Sequence, residues 1–183
     1  VVVIDLQDFS IPVAISTPSI SANDLRDISS SQYQDLLNDP TRPLFNRAFM
    51  GLYPPASTIK PLLTIFALNN EYTNWDETIF DDGFFRFEEE ERIFNAWREG
   101  GHGLTDLEKA LVESSNPFFM NLSIRYEKDL FVEFLKSSSF GSKLCEDCYP
   151  HQFSPLIDDD WKYKNFGKEL YKGDFINLGV GQG

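Results

Sequence analysis

Ser57 and Lys60 are the residues whose types and spacing do chemistry most directly. They lie in Tyr53-Pro54-Pro55-Ala56-Ser57-Thr58-Ile59-Lys60-Pro61. On a helix, residues three apart share a face, with Cβ atoms ~5–6 Å apart. A serine hydroxyl is a weak nucleophile until a base takes its proton. A lysine one turn away is such a base once burial or neighbouring charge lowers its pKa. A second polar group follows downstream as Ser114-Ser115-Asn116. In isolation Asn116 reads as a helix N-cap and Ser114 as a small helix-end residue. Paired with the upstream Ser-x-x-Lys, the Ser-x-Asn triplet reads as the second part of an acyl-transfer site.

The elements that must position these groups are visible in the apolar pattern. Pro54-Pro55 stiffens the approach to Ser57. Ile59, Leu62, Leu63, Phe66 and Ala67 form an i, i+3, i+4, i+7, i+8 stripe, which predicts a helix with one buried face. Ser57 then sits at its N-terminal end, where positive potential favours an alkoxide and an oxyanion. Pro61 is tolerated in the first turn, where backbone N–H groups lack intrahelical partners. Thr105-Asp106-Leu107-Glu108 has the form of a capping box, with Leu107, Ala110 and Leu111 on one face and Ser114 a turn further along it. Asn116-Pro117 restarts a helix, Asn as N-cap and Pro at the first helical position. Phe118, Leu122, Leu130, Phe131, Phe134 and Leu135 are candidate core.

At the start of the chain, Val1–Asp5 and the alternating Ile11, Val13 and Ile15 predict a β-hairpin with a turn near Gln7-Asp8. Thr17-Pro18-Ser19 ends the second strand, because proline cannot donate to a ladder. Residues Ser21–Asn38 are polar and read as a surface excursion. Glu88-Glu89-Glu90-Glu91 reads as a solvated loop or hairpin tip.

Composition sets limits on the function. With 183 residues, 42% hydrophobic and 15% aromatic, the chain can build a core. Its net charge of −13 argues against a nucleic-acid partner, which needs a basic face. No run of ~18 apolar residues appears, as a membrane-spanning helix requires. Val1-Val2-Val3-Ile4-Asp5 lacks the basic segment and cleavage site of a signal peptide. The chain stops on Gly181-Gln182-Gly183 directly after the apolar stretch Phe175–Val180, and so reads as an internal fragment of a longer protein. Cys145 and Cys148, followed by His151, leave three readings open: a local disulfide, half of a metal site, or two plain thiols.

Further segments fall into order around the two motifs. They are Leu44-Phe45-Asn46-Arg47-Ala48, Gly51-Leu52-Tyr53-Pro54-Pro55, Trp97 with Gly101-His102-Gly103-Leu104, Glu113-Ser114-Ser115-Asn116-Pro117-Phe118-Phe119, Tyr171-Lys172-Gly173-Asp174 and Gly179-Val180-Gly181-Gln182-Gly183. With Ser-x-x-Lys they resemble, over nearly the whole chain, the transpeptidase domain of class B penicillin-binding proteins, most of all the elongation-type penicillin-binding protein 2 of Gram-negative bacteria. The resemblance implies an α+β fold, the penicillin-binding protein/serine β-lactamase-like transpeptidase fold, with an antiparallel sheet flanked by helices. Residues 1–183 would be a partial transpeptidase domain whose C-terminal part, with the Lys-Thr/Ser-Gly motif on an inner strand, is missing. The first hairpin would then present an uncovered edge.

The implied activity is a peptidoglycan D,D-transpeptidase that crosslinks stem peptides and is acylated by β-lactams. Ser57 would be the nucleophile, Lys60 the base, Ser114 the proton relay and Asn116 the holder of the substrate amide. Implied partners are stem peptides, β-lactams, a membrane glycan polymerase of the shape, elongation, division and sporulation family, and rod-shape scaffold proteins. The implied setting is the periplasmic face of the inner membrane, reached through an N-terminal anchor upstream of Val1. A β-lactamase, a β-lactam-sensing domain and a non-catalytic scaffold for a glycan polymerase are the alternatives.

Two departures stand out. Ala56 replaces the glycine usual before the nucleophile, which is harmless unless that position needs φ > 0. Some family members hold zinc through two Asp, the His of Gly-His-Gly and a Cys in the second motif. Here His102 and either Asp81 or Asp82 remain, but Ala96 and Ser115 stand at the other two positions. No zinc and no cofactor are therefore expected, and His102 reads as structural.

Overall fold

The computed structural model describes residues 1–87, 91–142 and 155–182. Cys145, Cys148 and His151 lie outside these, as do Glu88–Glu90 and Gly183. The chain forms two compact units.

The first unit includes residues 1–53. The predicted hairpin is present but short: β1 (Val2–Val3) pairs antiparallel with β2 (Val13–Ala14), Val2 opposite Ala14. Residues 21–38, expected as an irregular excursion, instead carry α1 (Ala22–Arg26) and α2 (Ser30–Asn38). The reason is local. Ser21 caps α1 by accepting from the Asp24 amide, and Ser29 with Gln32 forms a capping box on α2. Neither helix has a buried residue, so they are surface elements as expected. A short α3 (Arg47–Met50) follows, capped by Asn46.

The second unit holds the core. A 3-10 turn (Ala56–Ile59) runs into α4 (Lys60–Asn69), which buries Leu63, Phe66 and Ala67 of the predicted stripe. Two antiparallel ladders follow: β3 (Ile79–Asp81) with β6 (Gly103–Thr105), and β4 (Phe84–Phe87) with β5 (Arg92–Asn95). Then come α5 (Leu107–Val112), α6 (Asn116–Ser123), α7 (Lys128–Ser137), α8 (Asp159–Phe166) and α9 (Lys172–Leu178).

Helix α6 is buried along most of its length, through Pro117, Phe118, Phe119, Met120, Leu122 and Ser123. It packs against α9, where Gly179 gives the closest approach: a Cβ there would lie 2.6 Å from the Ser123 side chain. Phe66 of α4 is the centre of an aromatic cluster with Tyr72, Tyr126, Phe131 and Phe134, at ring separations of 4.8–5.6 Å. Burying such a ring contributes about 1.5–3 kcal/mol, and favourable aromatic pairs add to it.

Four local expectations are corrected. Asp106, not Thr105, caps α5, its carboxylate accepting from the Lys109 amide; Thr105 is the buried last residue of β6. Ser115, not Asn116, caps α6. Helix α5 ends before Ser114, so Ser114 is not on its face. Leu130 is exposed, because α7 turns Phe131 and Leu135 inward instead.

Phe66→Ala is expected to destabilise the protein by about 3–5 kcal/mol, the cost of a cavity at an aromatic centre. Chemical denaturation measures it, and a loss below ~1 kcal/mol would contradict the packing described.

Candidate active site

Ser57, Lys60, Ser114 and Asn116, far apart in sequence, come together in the second unit. Lys60 Nζ donates to the Ser114 carbonyl (2.9 Å), to Ser114 Oγ (3.0 Å) and to Asn116 Oδ1 (2.7 Å). Ser114 Oγ in turn lies 2.9 Å from Ser57 Oγ and donates to it. The hydroxyl of Ser57 is exposed, whereas Lys60 is only 2% exposed. The order of the chain is therefore Ser57–Ser114–Lys60, with the Ser57 hydroxyl at the open end and the amine at the buried end.

The electrostatics follow from that burial. All three acceptors around Lys60 Nζ are neutral, and the Phe119 ring lies below it at 5.2 Å. Desolvation favours the neutral amine. It lowers the Lys60 pKa to about 8. At pH 7 about one amine in ten is then neutral and able to accept a proton.

Backbone geometry positions the hydroxyls. The Ser114 amide bonds to the Leu111 carbonyl and the Ser115 amide to the Ala110 carbonyl. This is a Schellman end to α5, in which the residue after the cap is left-handed and usually glycine. Here it is Ser114, at φ +54°. That conformation ends the helix and turns the Ser114 hydroxyl onto Lys60. Ser57 has a comparable neighbour: Ala56 has φ +51°. The glycine usual at this position is therefore missed, since φ is positive. Ala56 is held there by its amide, which donates to the Gly181 carbonyl at 2.8 Å. Gly181 is itself at φ +69°, and a Cβ on it would come within 2.2 Å of the Ala56 oxygen.

Three features lay outside the sequence reading: the Phe119 ring against the amine, the left-handed backbone of Ser114 and the Ser115 hydrogen bond. Phe119 carried a signal: it is three residues after Asn116, hence on the same face of α6. The left-handed Ser114 and the role of Ser115 did not. Ser115 points away from Lys60 and donates to Asp81 Oδ2 at 2.6 Å. His102 Nδ1 reaches the same oxygen at 2.8 Å, and the Gly83 amide donates to Oδ1. Burial opposes the Asp81 charge, but these hydrogen bonds outweigh it and hold its carboxyl below the usual carboxylate range. His102 is thus hydrogen-bonded to a buried carboxylate, while Asp82 is exposed.

The residues do not fit a zinc ion. Both Asp81 oxygens are engaged by N–H and O–H donors, and Ser115 offers a hydroxyl, not a thiolate. Among the described residues no group of three or more His, Cys, Asp or Glu is placed to hold a metal. Likewise, no described helix is long and apolar enough to cross a membrane.

An exposed serine hydroxyl linked to a buried lysine through a Ser-x-Asn turn is the arrangement found in the penicillin-recognising serine enzymes. A model of the penicillin binding protein transpeptidase domain matches residues 1–181, and the chain belongs to that family. It is 37% identical over 184 aligned positions to the peptidoglycan D,D-transpeptidase MrdA of Haemophilus influenzae, covering 100% of this chain and 28% of that protein. Among solved structures it is similar to PBP2 of Helicobacter pylori, at TM-score 0.87 and 30% identity, over 100% of this chain and 34% of that one. The same values hold for PBP2 in its complex with MreC from that organism. The expected α+β transpeptidase fold is therefore present, and the chain spans well under half of each relative.

Relief of the left-handed strain gives one expected outcome. An alanine at positive φ costs about 1–2 kcal/mol, partly offset by the extra freedom glycine has when unfolded. Ala56→Gly should therefore stabilise the protein by up to about 1 kcal/mol, read as a higher denaturation midpoint. A lower midpoint would contradict the observed backbone.

Proposed function

We propose that this chain carries the nucleophile and base of a peptidoglycan D,D-transpeptidase that works through a serine acyl-enzyme. The observation that carries this reading is the hydrogen-bonded chain Ser57–Ser114–Lys60, closed by Asn116. In the complete protein, residues 1–183 form part of a larger transpeptidase domain. The strand with the Lys-Thr/Ser-Gly motif supplies another wall of the cleft.

With Lys60 protonated, the hydrogen bonds run from Lys60 through Ser114 to Ser57. With Lys60 neutral the chain reverses, and the Ser57 proton passes to Ser114 as the Ser114 proton passes to Lys60. Ser57 Oγ then bonds to the carbonyl carbon of the penultimate D-Ala, while Asn116 holds the donor-peptide amide. The Ser57 backbone N–H is one of the oxyanion donors, a type of contact worth about 3 kcal/mol. Collapse breaks the C–N bond, and the proton returns from Lys60 through Ser114 to the departing D-Ala amine. An amine of a neighbouring strand then attacks the ester, giving the crosslink and releasing Ser57. β-Lactams acylate the same oxygen by ring opening.

The name of the Haemophilus relative supports stem peptides as substrate. The Helicobacter complex supports a rod-shape scaffold partner of the MreC kind, and with it a role in elongation. A membrane glycan polymerase as second partner, an N-terminal anchor and a periplasmic site complete the proposal.

Intact mass of the complete protein, followed over hours with a penicillin, tests the reading. A persistent adduct on Ser57 is expected, absent in Ser57→Ala and unchanged in Cys145→Ser. Labelling of Ser57→Ala would sink the assignment, and an adduct lost within seconds would indicate a β-lactamase. Lys60→Ala should slow acylation by about 10²–10⁴-fold, the usual contribution of a positioned base.

The second-order acylation constant should also rise with pH, reach half its plateau near pH 8, where half of the Lys60 amines are neutral, and level off above roughly pH 9. The sign follows from the base form being the active one. A flat profile between pH 6 and roughly 9 would remove Lys60 from that role.

A further inference from the structure

A buried polar cluster that the acyl-transfer chain does not use lies on the far side of the Ser-x-Asn turn. Asp81 and Ser115 are wholly buried and His102 nearly so. Ser115 Oγ donates to Asp81 Oδ2, which also takes the His102 Nδ1 contact, while Asp81 Oδ1 accepts from the Gly83 amide. The other His102 nitrogen, Nε2, has no hydrogen-bond partner; the carboxylate facing it is Glu113, at 3.9 Å. Ser115 Oγ, His102 Nδ1 and both Asp81 oxygens are thus engaged within the cluster and its turn.

Ser115 lies between the two residues that hold Lys60. Ser114 and Asn116 face the amine, and Ser115 faces Asp81. Ser114 is strained at φ +54°. A strained residue persists only where its surroundings over-determine it. The helix end supplies part of that constraint, and the buried bond from Ser115 to a carboxylate supplies a charge-assisted part.

We propose that Asp81, His102 and Ser115 form a metal-free anchor that holds the Ser114–Asn116 turn at its working distance from Lys60. The inference rests on the acyl-transfer reading given above. Asp81 and His102 are positioning residues: they act through Ser115 and touch neither the nucleophile nor the base. Asp81 enters from β3 and His102 from the residue before β6, so this ladder is tied to the active-site turn by side chains.

The test uses the complete protein and separates the pre-acylation dissociation constant for benzylpenicillin from the first-order acylation constant. Zinc content is measured after exposure to zinc and dialysis. The unaltered protein should retain far less than one zinc per chain, and a chelator should change neither its melting temperature nor its acylation. Asp81→Asn leaves the Ser115 cap of α6 in place and disturbs the anchor alone. It should slow the first-order step by about 10–100-fold, the scale for a misplaced catalytic group, with a smaller change in the dissociation constant. One retained zinc per chain, lost in His102→Ala, would overturn the proposal. So would an Asp81→Asn protein that melts lower yet acylates at the original rate.

If the unaltered protein is never acylated, the acyl-transfer reading fails by itself. The anchor is then judged by zinc content and by a thermal double-mutant cycle of Ser115→Ala with His102→Ala. Coupled losses support it, and additive losses overturn it.

Discussion

A buried ammonium group with no carboxylate beside it is the constraint on which this site depends. Lys60 is surrounded by a carbonyl, a hydroxyl, an amide oxygen and an aromatic face. Each offers partial negative charge and none offers a full one. A carboxylate at this distance would lock the lysine in its charged form, as opposite charges do. Neutral acceptors satisfy the donors while leaving the proton removable. Phe119 links this arrangement to stability: its ring is wholly buried in the core and also lies against the amine. The site therefore cannot loosen without disturbing α6, the helix around which much of the second unit packs.

Both serine hydroxyls depend on a left-handed residue that is not glycine. Ser114 is itself that residue, and Ala56 directly precedes Ser57. Their strain is opposed from different places. Gly181 holds Ala56 through the backbone, whereas Asp81 holds the Ser114 turn through the Ser115 side chain. Two segments distant in sequence thus fix the Ser57 and Ser114 backbones from different sides. Local propensity alone would relax both toward ordinary backbone.

Much of this was legible in the sequence. The stripe from Ile59 to Ala67 located α4, and the Ser-x-x-Lys and Ser-x-Asn spacings located the four groups that meet. The β1–β2 hairpin followed from β-branched residues and alternation. What failed to show was decided by competition or distance. Thr105 has good capping chemistry, but pairing in β6 claimed it and left the cap to Asp106. Asn116 is a good cap as well, yet Ser115 took that role and freed the Asn116 amide for Lys60. The helices within residues 21–38 rest on serine caps without an apolar face, so periodicity could not reveal them. Ser115 stands out in the sequence only as occupying the place where a family Cys is expected, and its hydrogen bond stayed hidden because its partner, Asp81, lies 34 residues away.

The acidity of the chain works against a depressed lysine pKa, since a net charge of −13 stabilises cations. Magnitudes decide the matter. Exposed charges separated by more than the Debye length of ~8–10 Å are largely screened. Burial acts at the amine itself and shifts pKa values by up to several units for fully enclosed groups. Lys60 is nearly enclosed, and burial is the cause that lowers its pKa. The surface is thus free to be acidic without raising the Lys60 pKa. The low pKa depends instead on keeping carboxylates out of the Lys60 pocket, and the Ser114–Ser115–Asn116 turn does so by presenting neutral oxygens inward while Asp81 stays behind Ser115.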